Sequence, residues 1–137
     1  MAETRLIIDD TVLRRMQGNQ AGLDRWLRGV GTEMVGDVKA SFGTSPSGRR
    51  YQRGRREHVA SLPGYPPNID TGSLRASIKI RQTGTLKYRI EDGVEYGYKL
   101  ETGVGIAPRP FIKPVFDRWG REIRGKAGRE LERILTR

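Results

Sequence analysis

Residues 61–80 read SLPGYPPNIDTGSLRASIKI, and no single regular element accommodates them. Pro63-Gly64 and Pro66-Pro67 make a stiff, extended approach, because proline fixes its own φ and pushes the preceding residue out of the helical region. Asp70-Thr71-Gly72 then predicts a turn, with the short Asp side chain accepting from backbone N–H groups two or three residues on. Ala76, Ile78 and Ile80 alternate with Ser77, Lys79 and Arg81, the period of a half-buried strand. The expectation is a rigid tether that delivers a capped turn into a sheet.

Around that tether the chain reads as one domain of 137 residues. Leu6-Ile7-Ile8 reads as a short edge strand, and Asp9 or Asp10 can cap a brief helix through Met16. Asn19 is a good N-cap for a helix over 19–42, whose stripe is Leu23, Trp26, Leu27, Val30, Met34 and Val38. Gly29, Gly31 and Gly36 weaken it by up to about 1 kcal/mol each, so it needs tertiary packing. Such glycines can also mark close approach of another backbone. After a turn at Gln82-Thr83-Gly84-Thr85, Leu86, Tyr88 and Ile90 alternate with polar residues. Asp92-Gly93 is a hairpin signal, and Val94, Tyr96, Tyr98 and Leu100 alternate again. The fold class expected is therefore α+β. Residues 70–101 form a three-stranded antiparallel meander, covered on one face by two long helices. Residues 107–137 supply a second proline elbow, Ala107-Pro108-Arg109-Pro110, and the C-terminal helix. That helix starts near 111–114 and has Val115, Phe116, Trp119, Ile123, Ala127 and Leu131 on its stripe.

Residues 43–69 carry no period and predict a long basic loop or arm before the sheet. The chain's net charge of +10 is concentrated there and at the C-terminal end. The loop holds five Arg against one Glu, whereas residues 1–42 balance. Arg49, Arg50, Arg53, Arg55 and Arg56 interleave with Tyr51. This set can bind phosphates with Tyr51 stacked on a base, order against a protein partner, or stay a solvated loop.

Enzyme chemistry is poorly served. His58 is the sole histidine and lies in the loop; there is no cysteine for a thiolate site or disulfide. Glu91, Asp92 and Glu95, which with Asp70 would be the carboxylates for a metal nuclease, are explained by a turn and by solvent-facing alternation. Gly103-Val104-Gly105 lacks the remainder of a phosphate loop. The expectation is a non-enzyme with no metal and no cofactor. With no apolar run of membrane length and no leader-like start, it is also expected to be soluble, without a membrane partner.

The pattern Ser61, Pro63, Gly64, Pro66, Pro67, Asp70, Thr71, Gly72, Leu74, Ser77 and Ile78 resembles the opening motif of the siphophage neck and tail-completion family. That motif is also distantly similar to the minor tail protein Z of phage lambda. Ser47-Gly48, Tyr51, His58 and Ala60 resemble its approach loop. Tyr96, Glu101 and Gly103 are similar to its YAxxxExGT segment, with Gly97 in place of alanine and Thr102-Gly103 in inverted order. Ala107, Arg109, Pro110, Phe111, Ile112 and Pro114 resemble its ARPFLRP elbow. The resemblance spans roughly residues 19–135. It implies a structural virion protein, made in the bacterial cytoplasm and placed at the neck or head-proximal end of the tail. It further implies a homo-oligomeric ring, a hexamer, that completes the tail and joins it to the DNA-filled head. Its neighbours would be head-completion and tail-tube proteins, with double-stranded DNA passing through. The alternative is a nucleic-acid-binding module acting through the Arg-rich loop.

Overall fold

The structure is a computed structural model that describes residues 17–135; the expected strand at 6–8 and the helix through Met16 lie outside them. It is α+β, built from helices and two small antiparallel two-stranded sheets.

Helix α1, Gln20–Ser41, follows the expected spacing, with Leu23, Gly31, Met34 and Val38 buried. Asn19 holds the N-cap position, but its side chain makes no capping hydrogen bond. Among the described residues of one chain, Gly29, Gly31 and Gly36 meet no other backbone. A Cβ on Gly31 would overlap the Ile80 side chain, whereas Gly29 and Gly36 face open space. The C-terminal helix α4, Lys113–Leu135, carries Pro114 in its first turn, where no intrahelical N–H is lost. Asp37 of α1 accepts from Trp119 Nε1 at 2.8 Å and from Arg118 at 2.6 Å, which fixes α1 against α4.

The three-stranded meander is not formed. Strands β3, Lys79–Gly84, and β4, Lys87–Glu91, make a hairpin in which Ile80 pairs with Ile90 and Gln82 with Tyr88. Its turn falls at Thr85-Leu86, with Leu86 at φ 51, rather than at 82–85. Residues 76–78 are not strand: helix α2, Ser73–Ser77, buries Leu74, and Ile78 follows four residues later at the helical repeat.

The third expected strand is helix α3, Glu95–Thr102. A type I′ turn needs positive φ at both Asp92 and Gly93, and neither has it. Asp92 Oδ1 instead accepts from the Val94 N–H at 3.3 Å and lies against Gly97, where a Cβ would overlap it. The buried face then runs through Val94, Gly97 and Leu100, at three-residue intervals, while Tyr96 and Tyr98 point outward. Burial pushes the Asp92 carboxyl above its ordinary range, although the Val94 N–H pulls the other way. Gly103, at φ 77, ends α3 by returning its N–H to the Lys99 carbonyl at 2.8 Å.

The core is a single cluster of Met34, Val38, Phe42, Leu74, Ile78, Ile90, Phe111, Ile112, Val115 and Trp119. Helix α1 runs through its middle, touching both β3 and β4 and packing on α4. Phe42 at its end meets Phe111 edge to face, ring centroids 5.5 Å apart.

Candidate functional site: a basic arm and the elbows that hold it

The expected loop over 43–69 contains a hairpin. Strand β1, Ser47–Arg53, pairs with β2, Arg56–Ser61, around Gly54 at φ 63 and Arg55. No apolar alternation announced it, because nearly all of β1 and the distal part of β2 are exposed. The hairpin is therefore an arm, and inter-strand hydrogen bonds rather than core burial define it. Two-stranded hairpins are marginal alone in water, so its anchoring at the base matters.

That base is densely tied. Gly48 passes so close to the Ala60 and Ser61 backbone that a Cβ would sit 2.6 Å from the Ala60 oxygen. Asn68 donates to the Val59 carbonyl at 2.9 Å, and the Leu62 N–H donates to Ser45 Oγ at 2.9 Å. Asp70 is not the turn cap expected of it. Its carboxylate lies 3.3 Å from Arg53, 3.1 Å from Arg56 and 3.7 Å from His58 Nδ1, so it clasps the arm. Thr71 Oγ1 accepts the Ser73 N–H in its place, at 3.2 Å, and Gly72 supplies the left-handed residue at φ 86.

The two proline motifs meet. Gly64, at φ 85, gives its N–H to the Pro108 carbonyl at 2.8 Å. Arg109 spans the same junction: its backbone N–H reaches Leu100 at 2.6 Å and its Nε reaches the Ser61 carbonyl at 3.1 Å. Pro66 is half-buried and Pro67 buried, with the Pro67 carbonyl taking the Gly43 N–H at 3.1 Å; Pro63 is exposed. Pro110 is half-buried and delivers Phe111 into the core.

Glu101 completes the junction. Its carboxylate accepts the N–H groups of Phe111, Ile112 and Lys113 at 2.9, 3.0 and 2.8 Å. These are donors that a helix start leaves unpaired, so α3 caps α4 from ten residues upstream. Local capping rules look within about one turn of the helix, and the only sequence sign of this role is the resemblance in which Glu101 figures.

The proposed contact residues are not equivalent. Arg50 pairs with Glu57 at 3.2 Å, and Arg53 and Arg56 are held by Asp70. Arg49 lies over the Tyr51 ring, 5.3 Å from its centroid, and Arg55 sits in the exposed turn; neither has a carboxylate partner among the described residues. Between the arm, the Asp70 segment and α3 opens a cleft of about 720 Å³, with Tyr51, His58, Asp70 and Tyr96 among its lining.

Among the described residues, no three His, Cys, Asp or Glu side chains are placed to hold a metal ion, and no helix is long and apolar enough to cross a membrane. No family model, no curated protein and no solved structure matches the chain.

Proposed function

We propose that this chain is a structural subunit of the head–tail junction of a long-tailed bacteriophage. Copies form a ring, a hexamer, that completes the tail and joins it to the DNA-filled head in contact with head-completion and tail-tube proteins. The observation that carries this reading is the arm: tied at its base by Arg109 and beside its turn by Asp70, it has little else among the described residues to pack on. A part of that kind is completed by its neighbours. The sequence resemblance agrees, since the two motifs that carry it are the two elbows that meet at Gly64 and Pro108. The role is mechanical rather than catalytic.

The test is electron microscopy of particles made without this chain. Filled heads beside separate, finished tails are expected. Intact joined particles would refute the joining role.

The second reading is a nucleic-acid module, and Arg49, Tyr51 and Arg55, exposed together on the arm, favour it. Phosphate binding of that kind weakens by about a thousandfold or more between low and moderate salt. DNA affinity that is absent, or indifferent to salt, would eliminate it.

A further inference from the structure

The cleft beside the arm is unusual in what lines it. Tyr51, Ile69, Tyr96 and Ile106 are four of the eight large apolar side chains left exposed among the described residues, and all four face this one hollow. Apolar side chains concentrated at one place mark an interaction site. The charged lining is lopsided. Arg53, Arg75, Lys99 and Arg109 stand against the single carboxylate of Asp70, which the arm already occupies. Arg75 gives Nε to the Lys39 carbonyl, and among the described residues neither it nor Lys99 meets a carboxylate. The Ser61 hydroxyl, buried in the same lining, has no hydrogen-bond partner among the described residues. Such a hollow fits an extended segment with aliphatic side chains followed closely by carboxylates.

The sequence contains one such segment. Leu6-Ile7-Ile8 is its only run of three large aliphatic residues, and Asp9-Asp10 follows directly. We propose that residues 6–10 of one copy dock in the cleft of a second copy, joining copies head to tail. The reach of the chain favours a second copy over the same one. From Asp10 to Gln20 the chain spans at most roughly 30 Å, because residues 17–19 form a 3-10 turn. Lys39, which marks the cleft end of α1, lies about 28 Å along the helix from Gln20. Reaching its own cleft would need residues 11–16 drawn fully taut beside α1. A head-to-tail contact between unlike surfaces is also the kind that closes into a ring, so the proposal deepens the ring reading and rests on it for its setting.

The test uses the purified full chain. Leu6→Ser, Ile7→Ser and Ile8→Ser together leave the cleft vacant without touching the described core. A fluorescent peptide of residues 2–14 should bind this variant saturably, one per chain, by anisotropy. Adding Arg75→Glu and Lys99→Glu should weaken binding by about tenfold or more, and a peptide with Asp9→Lys and Asp10→Lys should regain it. The native chain should sediment as a multimer and the triple-Ser chain as a monomer. Absence of saturable binding overturns the proposal, as does binding that ignores both charge reversals. A native chain that excludes the peptide yet sediments as a monomer also overturns it, since the segment then fills its own cleft. These measurements do not depend on phage particles. Loss of head–tail joining without peptide binding would defeat this proposal alone; peptide binding with normal joining would defeat the junction role alone.

Discussion

Replacing Glu101 by Ala removes the only acceptor, among the described residues, of three N–H groups at the start of α4. Two of them belong to Phe111 and Ile112, which are 0% and 3% exposed. Each buried donor left unpaired costs about 1–2 kcal/mol, and loss of a carboxylate at a helix N-terminus adds about 1 kcal/mol. The sum is roughly 3–5 kcal/mol, a large fraction of the 5–15 kcal/mol typical of a domain. At about 3 °C per kcal/mol for this size, Tm should fall by roughly 9–15 °C. Glu101→Gln keeps one oxygen, and Oε2 alone serves both Phe111 and Ile112. It should lose about 1–2 kcal/mol, for the charge and the Lys113 acceptor. Chemical denaturation with midpoint and slope measured for all three proteins is the assay. A Glu101→Ala loss under about 1 kcal/mol, or equal losses for Ala and Gln, would refute the remote cap.

Other expectations follow from the same geometry. Asp92 has a folded-state carboxyl raised by burial, so folding takes up a proton there. Its contribution is fully present below the ordinary value of 3.8 and is lost as pH rises through the raised value. Asp92→Asn keeps the acceptor for Val94 and should flatten the stability-versus-pH curve just above 3.8; an unchanged curve counts against that assignment. Gly36→Ala, at an open helical site, should stabilise by up to about 1 kcal/mol, whereas Gly97→Ala should destabilise despite its helical position because its Cβ meets Asp92. Thermal melts that rank the two the other way would contradict the account of α3. Asp70→Ala frees Arg53, Arg56 and His58, whose pairs with it are partly solvated. Global stability should drop by only about 1 kcal/mol, while hydrogen exchange at residues 47–61 should accelerate strongly; protected arm amides would show that Asp70 is not the clasp.

Both long helices were legible because each buries one stripe on its own chain, and a stripe leaves a 3.6-residue period. Leu23, Met34 and Val38 show it in α1, as do Val115, Trp119 and Ala127 in α4. The hairpin β3–β4 was legible for a similar reason, through Tyr88 and Ile90. The errors fall where burial does not follow side-chain hydropathy. In α3 the buried position is Gly97 and the alternating Tyr96 and Tyr98 are exposed, so alternation imitated a strand. In the arm, pairing without burial left no hydrophobic pattern to read. The candidate site divides the same way. Its basic residues are conspicuous in sequence, but which arginines Asp70 engages depends on contacts across 14 residues and more. Glu101 was marked only by resemblance, and the cleft exists only once the elbows meet.

The meeting of the elbows also sets a load path. Tension applied at Arg55 divides: Arg53 and Arg56 pass part of it to Asp70, and the paired strands carry the rest to Ser61, whose carbonyl is held by Arg109. Arg109 is fastened to Leu100, and Phe111 and Ile112 just beyond it are embedded in the core beneath the Glu101 clamp. The share carried by the strands thus passes into the start of α4 by a short chain of polar fastenings. The β3–β4 hairpin lies off that line, so it can shear or breathe while the arm keeps its bearing on the long helix.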